Sequence, residues 1–519
     1  MSLAELWYAS PFYRPFLSAK PPQRLLHLPP PGRPGLRERG NTICGGLLTI
    51  GREAIRLESA PWAAGHLSPP AEAELQSFGW LDDLAAADAD GARDMARRLV
   101  ASWIDDHEDW SAIAWAPAIL GRRVAHWLTH APLLAQGTND PLDRRILASL
   151  TRQLRHLRRT AARCPDPRDR LVALRGLIYG IVCGVAPGAC LTAALRALTD
   201  ALNQQVLPDG GHISRSPSVQ FQTLATAVDC RDMLAIGQHS TPPEIEALIG
   251  RMSLMLRFYR HGDGRLAVFN GSREGEGALL GAVLERISAA SLPLSAPESG
   301  FERISAGPTL VLLDTGSLPH AGTLALELSH GEERIIVNCG PALTSEPRWV
   351  EAQRSTAAHS TLTVDNTNSS DLFGSSRRAR VLEIVRENAA GNTWITASHD
   401  GYRENFGLLH QRRLYLSADG TDMRGEDTLS GTHRGQSTVR FHLHPDVSAS
   451  LVQNGAAILL RLISGSAWRF EARGGTLGLE ESLYTAGASG RRRTEQIAIT
   501  TPLIGEDIVV KWALRRIAS

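Results

Sequence analysis

The pattern of apolar residues changes once along this chain, close to residue 295, and this change constrains the fold more than any other feature. Before it, apolar residues recur every three or four positions, as on one face of an α-helix. Met95, Leu99, Val100 and Trp103 form one such stripe. After it, short segments such as Thr438–Leu443 alternate apolar and polar residues, which is typical of half-buried strands. The sequence therefore predicts a helical half followed by a β half.

Both halves contain further segments of their own type. The periodic helical segments, separated by Pro, Gly and Asp, are Ala112–Leu134, Leu142–Ala162, Asp169–Val185, Leu191–Val206 and Ile245–Tyr259. Their short connections favour antiparallel helical hairpins packed side by side in a closed or partly closed ring. The predicted strands are Thr309–Asp314, Leu324–Leu328, Arg334–Asn338, Thr361–Val364, Thr438–Leu443, Ala457–Leu462 and Ile508–Leu514. Strands of this length joined by Gly, Asp, Asn and Ser turns favour an antiparallel sandwich.

We predict an α+β multidomain protein with four segments. Residues 1–62 are Pro-rich and irregular, with Ile43–Ile50 as an isolated strand. Residues 63–290 form the helical domain, and residues 291–300, with the sequence SLPLSAPESG, form a linker. Residues 301–519 form the β-sandwich.

Composition excludes several classes of protein. Fifty-five basic residues oppose 54 acidic ones in 519, and the net charge of +1 provides no general attraction for nucleic acid or an anionic membrane. No apolar run approaches the roughly 18 residues of a transmembrane helix. The first residues lack a basic segment followed by an apolar one, so we expect a cytoplasmic protein. The six cysteines lack C-x-x-C spacing, and we expect them to be reduced and mostly buried.

Arginine provides nearly all of the positive charge, since Lys20 and Lys511 are the only lysines. Arginine forms bidentate pairs with carboxylates, which suits an acidic glycan as ligand. Codon bias of a GC-rich genome is the alternative explanation.

One polar segment, residues 354–370, is placed for work on a ligand. His359 stands at the head of a predicted strand, beside Arg354, and a polar turn follows that strand. The segment also resembles the Ala-His-Asn-Thr-x-x-Val-Asp signature of the heparinase II/III-like polysaccharide lyases. This resemblance implies an α/α toroid followed by a β-sandwich, with a site in the cleft between them. It also implies an acidic polysaccharide or oligosaccharide as partner, and a location in the periplasm or cell envelope.

Such lyases cleave uronate-containing glycans by β-elimination. The substrate carboxylate must be neutralised while a base removes the neighbouring proton and an acid protonates the departing oxygen. The loop at residues 207–217 resembles the family's Asp-Gly-Gly-x-x-x-Arg/Glu-Ser loop, but Val219 stands where a catalytic tyrosine is expected. His212 and Arg215 remain there as a candidate catalytic group and a candidate glycan-binding group. A glycine turn followed by a helix start is the alternative interpretation.

Three more candidate substrate contacts are present. The family's Asn-His pair, which neutralises the carboxylate, is replaced by Asp169-Arg170, so Arg170 becomes the candidate carboxylate ligand. An ion pair at a helix start is the alternative. Asn270, at the end of the helical half, and Arg354 are further candidate glycan contacts.

The resemblance also implies a metal site. The segment at residues 318–328 has Leu318 in place of a catalytic histidine but retains His320, the counterpart of a metal ligand. Asn338 replaces the family's aspartate ligand, and His359 matches the third ligand. These three residues are the candidate ligands of one zinc ion. The alternative is a hydrogen-bonded histidine pair that braces the sheet.

The last motif supplies candidate acid and base groups. His399-Asp-Gly-Tyr402 and His410-Gln-Arg-Arg413 repeat the family's His-Asp-Gly-Tyr and His-x-Arg motifs. Tyr402 and His410 are therefore candidates to replace the missing catalytic groups. Alternatively, both belong to the sandwich, with Tyr402 bonded to backbone.

Three functions are compatible with these residues. The first is a divergent lyase that uses His212, Tyr402 and His410. The second is an acidic-glycan-binding protein without catalysis, and the third is a cytoplasmic assembly or regulatory protein. The sequence does not determine the oligomeric state.

Overall fold

The chain divides into two compact units. The computed structural model describes residues 3–30, 33–51, 53–57, 61–62, 67–107, 109–137, 140–317, 319–372 and 377–517. Unit 1 comprises Met1–Gln205 and Thr223–Ile249, and unit 2 comprises Val206–Gln222 and Gly250–Ser519. The last helical residues and the loop at 206–222 thus group with the β half, whereas the predicted helical domain ran to residue 290.

Unit 1 is predominantly helical. Its elements are α1 (Leu3–Tyr8), α2 (Arg14–Leu17), α3 (Arg37–Cys44), β1 (Leu47–Ile50), β2 (Glu53–Arg56), α4 (Pro69–Ser77), α5 (Leu81–Ala86), α6 (Ala92–Asp106), α7 (Pro117–Thr129), α8 (Ala131–Leu134), α9 (Pro141–Thr160), α10 (Pro167–Val182) and α11 (Leu191–Asn203). Helices α12 (Pro217–Ile236) and α13 (Pro243–Phe258) each contribute residues to both units. None of the helices in the described part of the chain is long and apolar enough to cross a membrane.

Local chemistry explains several helix boundaries in unit 1. The side chains of Asp140 and Asp166 accept backbone N–H groups in the first turns of α9 and α10, and a proline follows each of them. Helices α7 and α10 pack closely because Gly121 and Gly176 face each other. A Cβ atom on Gly176 would lie 2.4 Å from the carbonyl oxygen of Gly121.

Two sequence predictions for unit 1 need correction. Residues Ile43–Ile50 are not an isolated strand, because the helix α3 continues to Cys44 and Leu47–Ile50 pairs with Glu53–Arg56 in a hairpin. The predicted helix Ala112–Leu134 begins only at Pro117 and is divided at His130, after which Ala131–Leu134 forms a new short helix with Pro132 in its first turn.

Unit 2 contains α14 (Gly277–Glu285), α15 (Pro347–Arg354), α16 (Arg403–Phe406) and two antiparallel sheets. Its strands are β3 (Ser295–Ala296), β4 (Phe301–Ala306), β5 (Thr309–Asp314), β6 (Leu326–His330), β7 (Glu333–Val337), β8 (Leu362–Val364), β9 (Val381–Ala389), β10 (Asn392–His399), β11 (Leu409–Leu416), β12 (Asp422–Ser430), β13 (Arg434–Leu443), β14 (Ser448–Val452), β15 (Ala457–Arg461), β16 (Ala467–Arg473), β17 (Thr476–Tyr484), β18 (Arg492–Ile504) and β19 (Ile508–Arg516).

The two sheets share one apolar core. One sheet has the order β14-β15-β16-β19-β12-β11-β10-β9, and the other has the order β17-β18-β13-β7-β6-β5-β4-β3, with β8 paired to β13. Leu414 and Trp512 from the first sheet lie in the same buried cluster as Val311 and Phe441 from the second. The predicted linker at 291–300 contributes β3, which pairs with β4.

Candidate functional site

The glycine-containing loop at residues 206–217 is a tight turn held by an aspartate. Gly210 has φ of +89°, and a Cβ atom there would lie 2.4 Å from the carbonyl oxygen of Arg251. Asp209 accepts the backbone N–H of Gly211 at 2.9 Å, and it also accepts both the N–H (2.7 Å) and the hydroxyl (2.8 Å) of Ser299. The loop that the sequence analysis considered for glycan binding is thus held in its conformation by contacts within unit 2.

Arg215 extends from this loop into the interior of unit 2. Its guanidinium forms an ion pair with Asp314 and donates to the carbonyl oxygens of Ser299 (2.7 Å) and Gly300 (3.1 Å). The guanidinium also lies over the ring of Phe301. Only 7% of Arg215 is exposed. The side chain that the sequence predicted to bind a glycan is therefore directed away from solvent.

The side chains of His212 and Asn270 also make hydrogen bonds within the protein. Nδ1 of His212 accepts the N–H of Ser214 at 3.0 Å and lies 2.8 Å from the same residue's hydroxyl. The amide of Asn270 donates to the carbonyl oxygen of Arg215 at 3.1 Å, and its backbone is left-handed, with φ of +50°. Both residues are buried. The side chains of His212, Arg215 and Asn270 therefore hold the loop and its neighbours in place.

His320 and His359 lie together, as the metal hypothesis requires. Nδ1 of His359 is 2.7 Å from the carbonyl oxygen of Ser355, so it carries the proton, and Nε2 is left as an acceptor. Nδ1 of His320 lies 3.3 Å from that Nε2 and donates to it. Burial lowers the pKa of His359 to about 4 and the pKa of His320 well below its usual value, so both rings are neutral at pH 7.

Asn338 does not complete a metal site with this pair. Its Nδ2 donates to Glu327 at 2.9 Å, and its Oδ1 accepts the N–H of Ser360 at 3.0 Å. Among the residues that the structure describes, no group of three or more His, Cys, Asp or Glu side chains is placed to hold a metal ion. Zinc sites in proteins use at least three protein ligands, and the residues present do not fit one. A zinc ion is implied by the family resemblance alone. Leu318, which replaces a catalytic histidine of the family, lies outside the described residues.

Tyr402 lies in the sandwich core. Its hydroxyl donates to the carbonyl oxygen of Leu362 at 2.6 Å, and none of its surface is exposed. Burial raises the pKa of Tyr402. A polymer has no access to this hydroxyl in the folded sandwich, so the structure favours the backbone-bonding role over a catalytic one.

His410 belongs to a buried network that we call the inner network: His399, His410, Arg412, Asp427 and Trp512. The N–H of Gly401 donates to Nδ1 of His399 (3.0 Å), Nε2 of His399 donates to Nδ1 of His410 (3.0 Å), and Nε2 of His410 donates to Asp427 (2.8 Å). An added proton on either ring would face another N–H, so both rings are held neutral. Burial also lowers the pKa of both histidines.

Asp427 is the anion of the inner network, and the motifs did not reveal it. It accepts from Arg412 (2.7 and 3.1 Å), from His410 and from the indole N–H of Trp512 (3.0 Å). Burial opposes its ionisation, yet Arg412 and His410 hold its pKa below the usual range. The alternation of strand β12 contained the signal, since Asp427 occupies the same face as the core residues Met423 and Leu429.

The remaining candidate cations are also engaged. Arg354 donates to the carbonyl oxygen of Pro319 at 2.8 Å, within unit 2. Arg170 belongs to unit 1, where it donates to the carbonyl oxygen of Cys164 (2.9 Å) and to Gln204 (3.1 Å). The structure therefore brings His212, Arg215 and Asn270 together as loop supports. It brings His320 and His359 together as a second pair, and it places Tyr402 and His410 in the core.

Comparisons with known proteins agree with this architecture. The family model described as "Heparinase II/III-like, C-terminal" matches residues 290–513. The "FtsZ-localized protein C" of Caulobacter vibrioides is 32% identical over 495 residues, which cover 89% of this chain and 85% of that protein. The chain belongs to the heparinase II/III-like family.

Solved structures of this fold match most of the chain. A heparinase III has a TM-score of 0.70 at 12% identity and covers 88% of this chain and 79% of its own. The heparan sulfate lyase HepC from Pedobacter heparinus has a TM-score of 0.65 at 14% identity and covers 93% of this chain and 83% of its own. These matches confirm the predicted fold class, a helical N-terminal region followed by antiparallel sheets. At such identities they bear on the fold alone.

Proposed function

We propose that this chain is a non-catalytic member of the heparinase II/III-like family that acts by binding and takes part in FtsZ-associated assembly. The observation that carries the first part is that the polar groups left at the family's motif positions are committed to contacts within each unit. β-Elimination needs a cation beside the substrate carboxylate, a base and an acid. None of the candidates is placed for those tasks.

Three different features argue against catalysis by these groups. Arg215 is buried against Asp314 and two carbonyl oxygens, so binding a uronate there would break an internal ion pair. Tyr402 and His410 are inside the core, where neither can exchange a proton with a polymer. His320 is partly exposed, but its Nδ1 donates to His359, and burial lowers its pKa.

The second part of the proposal is supported by the degree of similarity. The relative named as FtsZ-localized shares 32% of residues over 89% of this chain, whereas the compared lyases share 12–14%. A chain that retains the scaffold without the chemistry fits an assembly role better than a catalytic one. We accordingly propose that the protein works in the cytoplasm.

Co-sedimentation with FtsZ tests this function. The purified full chain is mixed with FtsZ polymers from the same organism and centrifuged, and unpolymerised FtsZ serves as the control. The expected result is that the chain enters the pellet with polymers in a saturable manner and remains in the supernatant otherwise. Equal amounts of the chain in the supernatant with and without polymers would contradict the FtsZ association.

Binding of an acidic glycan without turnover is the second candidate. In this candidate function the chain also lacks elimination activity, but it binds a glycan instead of taking part in FtsZ-associated assembly. The observation that favours it is an arginine-rich sheet face in unit 2, which shares only Arg413 with the segments that resemble the family's motifs.

A further inference from the structure

The eight-stranded sheet carries a shallow depression on its solvent side. Side chains from five adjacent strands, β10, β11, β12, β19 and β16, line this depression of about 870 Å³. We call it the outer face. It is defined by Trp394, Arg413, Tyr415, Arg424, Glu426, Glu471, Arg473, Lys511, Ala513 and Arg515.

Strand register arranges these residues in rows across the sheet. Trp394 pairs with Tyr415, Tyr415 with Arg424, Arg424 with Ala513, and Ala513 with Glu471. The small side chain of Ala513 therefore lies between longer neighbours, which produces the depression. A second row contains Arg413, Glu426, Lys511 and Arg473.

Aromatic rings form one end of the first row. The ring centroids of Trp394 and Tyr415 are 5.0 Å apart, and the guanidinium of Arg424 lies 5.2 Å from the Tyr415 ring. Both rings are partly exposed, whereas Trp468 and Trp512 in the same sheet are buried in the core. Partly exposed aromatic rings on a charged sheet face are typical of a surface that receives a ligand.

Positive charge predominates on the outer face. Five cationic side chains line the depression, against Glu426 and Glu471. Lys511 pairs with Glu426 at 3.0 Å, and Arg515 lies 3.8 Å from Glu471; both pairs are largely exposed. Asp422 and Glu387 at the border contact Arg424, Arg515 and Arg413. The exposed pairs of Lys511 with Glu426 and of Arg413 with Glu387 contribute little stability, so a ligand's anionic groups can replace these two carboxylates at small cost.

We propose that the outer face binds an acidic oligosaccharide. A sugar ring stacks on Trp394, and carboxylate or sulfate groups bind Arg413, Arg473 and Lys511. A peptide added as a strand needs the hydrogen-bonding edge of a sheet, and this surface is a sheet face whose backbone groups are already paired. A sugar chain needs no such edge. The proposal rests on the second candidate function, acidic-glycan binding, and is independent of FtsZ association.

Calorimetric titration of the full chain with a heparin hexasaccharide tests the proposal, with a neutral glucose hexasaccharide and a poly-glutamate peptide as comparison ligands. Binding of the heparin hexasaccharide alone is expected. Trp394→Ala and Arg473→Ala are each expected to weaken it about tenfold, by loss of stacking or of a charged contact. Circular dichroism verifies that both variants are folded.

The matched control is Trp349→Ala. Trp349 is also partly exposed and also has an arginine, Arg491, over its ring (5.7 Å), but it lies outside the outer face. Unchanged affinity is expected for this variant. The proposal is overturned if wild type does not bind the heparin hexasaccharide, if Trp394→Ala and Arg473→Ala bind as wild type does, or if poly-glutamate binds equally well. Co-sedimentation with FtsZ polymers, repeated on Trp394→Ala, keeps the two proposals separable, because we expect that result to be unchanged.

Discussion

The inner network and the outer face lie on opposite sides of the same sheet, and they use similar residue types for different purposes. On strand β11, His410 and Arg412 are fully buried, while Arg413 and Tyr415 point to solvent. The inward pair is saturated by Asp427 and by backbone carbonyls, whereas the outward Arg413 makes only an exposed ion pair with Glu387 at 3.6 Å. Position on the strand, rather than residue type, therefore determines which polar groups are available to a ligand.

Removal of the anion from the inner network should have the largest effect. Asp427→Asn leaves the buried guanidinium of Arg412 without its counter-charge, and we expect a loss of about 3–5 kcal/mol in the free energy of unfolding. Urea denaturation measures it. The control is Glu426→Gln, the next residue on the same strand, whose exposed pair with Lys511 should contribute less than about 1 kcal/mol. Similar losses of unfolding free energy in the two variants would contradict the difference between the inner network and the outer face.

Arg215 also tests the difference between buried and exposed polar residues, at a position that the sequence analysis predicted to bind a glycan. Arg215→Met removes the ion pair to buried Asp314 and two donated hydrogen bonds, and we expect a loss of about 3 kcal/mol. Affinity for an acidic oligosaccharide should not change in the folded fraction. A variant with wild-type stability and reduced affinity would instead support the ligand-binding role.

Acid should destabilise the interior of unit 2. His359, His399, His410 and His442 are buried, and their pKa values are lowered, so they bind fewer protons when folded than when unfolded. The free energy of unfolding must therefore fall as pH decreases below about 6.5, by on the order of 1 kcal/mol for each histidine by about pH 5. Denaturation at a series of pH values measures this slope. A stability that is constant or rises between pH 7 and pH 5 would show that the folded protein accepts these protons.

The smallest expected effect is that of the substitution His320→Ala on the metal content of the protein. The described residues supply two imidazoles and no third ligand, so we expect elemental analysis of the purified chain to find well below one zinc per molecule. Loss of His320 in His320→Ala should leave that value unchanged. A full equivalent of zinc that disappears in this variant would restore the metal site suggested by the family resemblance.

The sequence predicted the fold better than the site because the two depend on different distances along the chain. Strand Thr309–Asp314 was predicted at its observed bounds, since alternation and turns are local signals. Asp314 lies 99 residues from its partner Arg215. Glu327 contacts Nε2 of buried His261 at 3.0 Å, and these two residues are 66 positions apart. No local pattern joins such pairs. The motifs identified Tyr402 and His410 but did not indicate that both side chains are buried in the core.

The central claim is the loss of elimination chemistry, and the most direct test is the ultraviolet absorbance of the double bond that elimination creates in the uronate product. The chain would be incubated with a broad panel of acidic polysaccharides at neutral pH, with a heparinase III as positive control. We predict that the chain produces no increase in absorbance with any polysaccharide of the panel, including those that the heparinase III control cleaves. An increase that is abolished by His320→Ala but retained in Trp394→Ala would show that the motif positions still support catalysis, and would contradict this account.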